Sequence, residues 1–214
     1  MSADFASTQL SHHFLIAMPG LEDPTFAKSV VYLCEHSERG AMGLIINKPG
    51  DLSLKHLFEK VELPLKREDL LQSNVLHGGP VQTERGFVLH EPMLENDSVD
   101  SENAASTDTE AALTKTNSIY ASTLSVPGGL AMTTSKDVLE AMANGSGPKR
   151  VLVTLGYASW GEGQLESEIG ENSWLTVEAD PAVIFDTPIE QRYDKALSLL
   201  GLQAWMLSNE AGHA

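Results

Sequence analysis

The residue in this chain with the plainest nucleophilic chemistry is Cys34, the single cysteine among 214 residues. It sits in the β-rich run from Ser29 to His36, where side chains two apart share a face, so Tyr32, Cys34 and His36 are expected to align while Leu33 and Glu35 point the other way. An imidazolium beside a thiol lowers its pKa and raises the thiolate fraction, which makes Cys34 a candidate reactive thiol and His36 the group that tunes it. The competing reading makes Cys34 a small buried hydrophobe on a core strand and His36 the polar residue that starts a turn. With one cysteine there is no intrachain disulfide and no thioredoxin-type exchange. Any redox chemistry is single-thiol: a sulfenic acid, a mixed disulfide with a small thiol, or a link to another chain.

Two glycine turns are candidate anion sites. In His77-Gly78-Gly79-Pro80, backbone amides together with nearby Arg85 could hold a carboxylate, although a turn beside a surface arginine needs no ligand. From Thr154 to Glu166 the chain reads as strand, glycine loop at Gly161 and Gly163, then helix. The sharper motifs fail there. No Gly-Lys-Ser/Thr ending follows, the third glycine of a dinucleotide fingerprint is missing, and Glu162 and Glu166 would repel phosphate. Ser159 is not in a nucleophile elbow, because Tyr157 occupies the position that requires glycine. The seven histidines show no His-Glu-x-x-His or paired Cys/His spacing, so neither a built-in metal nor a cofactor is expected. Glu35-His36 and His90-Glu91 could each meet a distant carboxylate in the fold.

The elements that must position these groups follow from local patterning. Ser29 to Asn47 reads as a hairpin, two β-rich runs around Ser37-Glu38-Arg39-Gly40. Ser53 is placed to cap a short helix carrying Leu54, Leu57 and Phe58, and Arg85 to His90 is strand-like. Ile119 to Val126 and Leu130 to Thr133 are expected to be extended, and Thr134 to Asp137 starts a helix that ends at Gly145. Val151 to Tyr157 is a near-continuous apolar run, a central strand by this pattern, and a short helix follows from Gln164 to about Glu171. Trp174 to Val177 and Val183 to Phe185 are read as short strands. Thr187-Pro188-Ile189-Glu190 has the form of a helix start, with a threonine cap, proline next and glutamate three residues after the cap. Hairpins mixed with isolated helices, without regular βαβ alternation, favour an α+β fold. From Glu95 to Thr116 the chain is mostly Ser, Thr, Asn, Asp, Glu and Ala, with six acids, one lysine and no aromatic residue, and it is expected to be an acidic mobile insertion.

Charge narrows the partners. The chain has 14 basic and 30 acidic residues, a net −16. Nucleic-acid affinity rests on Lys and Arg neutralising phosphates. The densest basic stretch, Lys48, Lys55, Lys60, Lys66 and Arg67, is interleaved with Asp51, Glu59, Glu62, Glu68 and Asp69 and sums to zero. Direct nucleic-acid binding is therefore not expected. The apolar runs are far shorter than the roughly 20 residues of a membrane span, and no basic, apolar leader opens the chain. With one cysteine, this gives a cytoplasmic expectation.

Phe14 to Gly20, Ser29 to His36 and Gly40 to Pro49 resemble the N-terminal half of the bacterial YqgE/AlgH family. His77 to Val81, Arg85 to His90, Leu155 to Glu168, Ile184 to Pro188 with Arg192-Tyr193, and Ala211 to Ala214 are similar to its later blocks. The match covers nearly the whole chain. Two departures are the acidic insertion, where relatives have a shorter loop, and Ser159, where the pattern usually has glycine. The resemblance implies one compact α+β domain over residues 1–214, an antiparallel barrel-like sheet with helices packed outside. Cys34 matches a cysteine of the family pattern, which implies a redox or reactive-thiol role. One branch carries the name of a transcriptional regulator of alginate production. The expectation is a cytoplasmic, non-enzymatic regulatory or interaction protein, acting indirectly on gene expression through protein partners. The alternatives are a single-thiol redox sensor or thiol-dependent enzyme centred on Cys34, and small-anion binding at the turns near Gly78 or Gly161.

Overall fold

The structure, a computed structural model, describes residues 9–93 and 119–207. The segment from Glu95 to Thr116 lies outside the described residues. The strands are β1 (His13–Ala17), β2 (Val30–Ser37), β3 (Gly40–Ile45), β4 (Pro49–Ser53), β5 (Asn74–His77), β6 (Val81–His90), β7 (Thr123–Val126), β8 (Leu130–Thr133), β9 (Val151–Trp160) and β10 (Trp174–Glu178). The helices are α1 (Leu54–Lys60), α2 (Lys136–Asn144), α3 (Gln164–Gly170), α4 (Pro181–Phe185) and α5 (Arg192–Leu199). The main path of the sheet runs β10-β1-β2-β3-β9-β6-β8-β7, and β5 joins β9 to β4. The pairing is antiparallel except for β5 against β9. The sheet curls into a half-barrel, so the chain is the single compact α+β domain expected.

β9 is the hub. Its first half pairs with β6, from His90 against Val151 to Gly86 against Leu155, and its second half pairs with β3, from Gly43 against Ala158 to Ala41 against Trp160. Between the halves, Gly156 turns the backbone with φ +72°, a conformation that suits glycine. Both faces of the sheet are buried around β1 to β3, which explains their continuous apolar runs. Phe14, Ile16, Tyr32 and Leu44 face an inner core closed by Val183, Ile184, Ala196 and Leu197 of α4 and α5. Leu15, Val31, Leu33 and Ile45 face an outer layer with Trp160, Trp174 and Leu165 of α3. Val88 and Val153 meet Leu54, Phe58, Val138 and Met142 of α1 and α2 in a third cluster.

Local signals explain most elements. Ser53 caps α1 by accepting from the His56 amide, and Gly145, with φ +83°, ends α2 in the left-handed conformation. Three sequence expectations are corrected. Val183 to Phe185 belongs to helix α4, because Asp180 accepts from the Ala182 amide and Pro181 occupies the first turn. Thr187 caps no helix: its hydroxyl donates to Ala182 O, a 3₁₀ turn covers Ile189–Gln191, and α5 starts at Arg192. The strand expected from Ile119 begins only at Thr123.

Candidate functional site

Cys34 lies on β2 at a register shift between Leu33 and Glu35, a β-bulge that sets an extra residue against β3. The bulge reverses the alternation beyond it. Cys34 stays with Tyr32 in the inner core, whereas His36 pairs with Ala41 and faces the outer layer. The expected alignment of Tyr32, Cys34 and His36 on one face is therefore overturned. Leu10 N–H donates to His36 Nδ1 (3.0 Å), which leaves Nε2 to carry the proton of the neutral ring and donate to Glu166 Oε1 of α3 (2.8 Å). The His36 amide donates to Ser11 Oγ. His36 thus fastens the segment before β1 and helix α3 to the bulge, and it meets the kind of distant carboxylate the sequence left open.

The thiol itself is 2% exposed and donates weakly to Tyr32 O at 3.8 Å. Burial pushes its pKa up from 9.0 to about 12, and the Glu35 carboxylate adds to the rise. Tyr32, next along the same face, hydrogen-bonds His12 Nδ1 at 3.1 Å and donates to Pro127 O. The residues around Cys34 therefore hold it protonated.

The glycine turns also resolve. Gly78 and Gly79 lie where the segment between β5 and β6 crosses β9 in near backbone contact. A Cβ on Gly78 would sit 2.2 Å from Gly156 O, and one on Gly79, with φ +151°, would sit 2.2 Å from the Tyr157 carbonyl carbon. The Gly78 amide is spent on Leu155 O, and its carbonyl accepts from Ile45 N–H. Arg85 is exposed and turned away, donating to Thr134 Oγ1 and Gln82 and lying over the Phe87 ring at 5.7 Å. At the second turn the Gly161 amide donates to Gln164 Oε1, and Gly163, with φ +69°, leads into α3. The Gly78 and Gly161 amides are thus engaged within the protein, and Arg85 bonds Thr134 and Gln82.

The Gly161 turn instead serves a tryptophan clamp. Glu168 Oε2 accepts from both Trp160 Nε1 (2.9 Å) and Trp174 Nε1 (2.8 Å), while Oε1 accepts from Gln164 Nε2. The two indoles are 5% and 3% exposed, so their N–H groups have no solvent to fall back on. Glu168→Ala is expected to destabilise the fold by about 2–4 kcal/mol, with Glu168→Gln losing less because an oxygen acceptor remains. Urea melts followed by tryptophan fluorescence measure this, and an Ala variant as stable as the parent chain would refute the clamp.

Two features escaped the sequence reading. The first is a buried polar network on β6 and β8. His90, 1% exposed, donates through Nδ1 to Glu91 O and accepts at Nε2 from Thr133 Oγ1, which also bonds Thr123 Oγ1. Burial lowers the His90 pKa, so the ring stays neutral. The second is a cleft of about 500 Å³ between residues 69–76, the start of β9 and residues 185–192. At its base is Arg192, 7% exposed, whose pKa burial pushes down to about 10 while Glu190 partly opposes the fall. A signal for Arg192 existed: it stands four residues before Ala196, on the stripe that faces the core. Among the described residues no cluster of His, Cys, Asp or Glu could hold a metal ion, and no helix is long and apolar enough to cross a membrane.

Fold and site together define a class: α+β domains with a curled, mostly antiparallel sheet that encloses a single cysteine. The chain belongs to the AlgH-like family, whose model matches residues 14–205. It is 69% identical over 216 residues to a UPF0301 protein of Paracidovorax citrulli and 66% identical over 214 residues to one of Variovorax paradoxus, each match covering 100% of both chains. The solution structure of the AlgH protein from Pseudomonas aeruginosa is similar with a TM-score of 0.69 and 45% identity, covering 100% of this chain and 99% of that one. A Corynebacterium diphtheriae protein with 20% identity and a TM-score of 0.62, covering 88% of this chain and 85% of that one, shares the fold.

Proposed function

We propose that the protein is a cytoplasmic, non-enzymatic regulatory or interaction protein whose effect on gene expression is indirect, exerted through a protein partner. The observation that carries this reading is that the side chains best suited to covalent or acid-base chemistry are spent on the fold. Cys34 is buried and held protonated, and the ring nitrogens of His36 and His90 are all engaged by the protein itself. The net charge of −16 argues against operator contact, since a duplex repels a strongly acidic chain whose densest basic stretch is interleaved with as many acids. The test pairs transcript profiling of a deletion strain with promoter occupancy of the tagged protein and a gel shift at physiological salt. Transcripts are expected to change while no promoter is enriched and the duplex stays unshifted. Tight, sequence-specific duplex binding by the purified chain would overturn the indirect reading.

A further inference from the structure

We propose that the cleft at the base of α5 binds the oxyanion group, phosphate or carboxylate, of a small metabolite, with Arg192 as its buried cation. The inference goes beyond the regulatory reading and stands apart from it, because a bound metabolite is compatible with any downstream role.

Arg192 donates through Nε to Thr187 O (2.9 Å) and through Nη1 to Ile46 O, and Nη2, which bonds no described residue, is not sealed from solvent. The arginines ion-paired among the described residues are Arg67 and Arg150, so the Arg192 guanidinium is buried without a carboxylate. Buried charges in folded proteins are ordinarily paired, because desolvation of an uncompensated ion is costly. Carbonyl dipoles satisfy two of its nitrogens but leave the unit charge in place. Arg192 is also the first residue of α5, where the aligned peptide dipoles add positive potential rather than offset it.

The surrounding charges leave that potential open toward the cleft. Of the lining carboxylates, Asp69 is held by Arg67, and Asp186 is held by Arg150, which also takes Glu91. Besides Arg192, the lining charges without an ion pair among the described residues are the exposed Lys149 and the exposed Glu190; Glu190 acts on Arg192 at longer range and offsets part of its charge. Ser73 and Asn74 add neutral donors to the lining, and Leu76, Val153, Phe185 and Ile189 supply an apolar wall for a carbon skeleton. A volume of about 500 Å³ falls within the range of roughly 300–1,000 Å³ typical of small-molecule sites. The geometry is that of a pocket with a fixed cation at its floor.

The experiment is a titration of the full chain at constant ionic strength with inorganic phosphate, adenosine monophosphate and succinate as separate probes, following the backbone amide NMR signals of the residues that line the cleft. A saturable shift with at least one probe is expected, and the probe that saturates separates the phosphate from the carboxylate source. Lys149→Glu and Asn74→Asp, both at exposed positions of the lining, are expected to weaken binding about tenfold each by adding negative charge while leaving the melting curve unchanged. Arg192→Lys, which keeps the charge, retains binding, and Arg192→Met abolishes it. If Arg192→Met fails to fold, the two rim variants carry the test alone. No shift up to about 20 mM of any probe, or a linear shift equal in the rim variants and in chloride controls, overturns the proposal.

Discussion

Alkylation of Cys34 in the folded protein at pH 8 is expected to run about three orders of magnitude slower than that of a free cysteine. The thiolate is the reacting species, and a group whose pKa is raised from 9.0 to about 12 carries that much less of it. Burial at 2% exposure adds a steric barrier to the same direction. Denaturant should restore the ordinary rate, and a plot of native-state rate against pH should show no inflection near 9. Fast native alkylation with such an inflection would reinstate the thiol-centred alternative. The same shift has a thermodynamic consequence. The unfolded chain loses this proton at about 9 and the folded chain only near 12, so the contribution to stability is complete below pH 9 and is lost as pH rises toward 12. Between pH 9 and 10 the loss attributable to Cys34 is about 1 kcal/mol, since each pH unit of differential protonation is worth about 1.4 kcal/mol at full slope. Tyr32, Tyr120 and Tyr193, whose hydroxyls burial also pushes up from 10.0, each add a few tenths of a kcal/mol by pH 10, so the part of the slope that belongs to Cys34 is the part removed by its substitution. Cys34→Ala should flatten the pH dependence of urea midpoints there, and an unaltered slope would show that the thiol is not the titrating group.

Gly79→Ala is expected to cost about 4 kcal/mol or more, or to prevent folding, whereas Gly161→Ala should stay within about 1 kcal/mol of the parent chain. A methyl on Gly79 would lie 2.2 Å from the Tyr157 carbonyl carbon and 2.3 Å from its oxygen, and φ +151° is itself hostile to a side chain. Backbone cannot yield as a flexible side-chain tip can. A methyl on Gly161 would meet only Gln164 Oε1 at 3.8 Å. Equilibrium unfolding of the two variants separates them. Equal, small losses would mean that the β5–β6 crossing does not require the close approach to β9, and the anion reading of the Gly78-Gly79 turn would return.

The elements legible in the sequence were those whose signals are local. The β2–β3 hairpin, the Ser53 cap, the Gly145 stop and the apolar core of β9 each depend on residues within a few positions of one another. α4 was misread for the same reason. Val183, Ile184 and Phe185 look like strand by propensity, and the capping pair Asp180-Pro181 that decides the matter lies outside the apolar triplet. At Thr187 the reverse happened: a complete local capping signature lost to a hydroxyl bond back to Ala182 O. The candidate site was the least legible part. Strict two-residue alternation put Cys34 beside His36, and one inserted residue in the ladder, invisible in a single sequence, sent them to opposite faces of the sheet.

Composition and local pattern alone determined the acidic character, the single thiol, the α+β class and the apolar faces of the principal strands, because each depends on residue type or short spacing. Only the tertiary structure decided that Glu166 meets His36 across 130 positions and that Glu168 gathers two indoles. The same holds for Arg192, which reaches Ile46 O across 146 positions. Partnerships of this length are set by how the sheet curls and where its register slips, and burial then fixes the protonation of the groups enclosed.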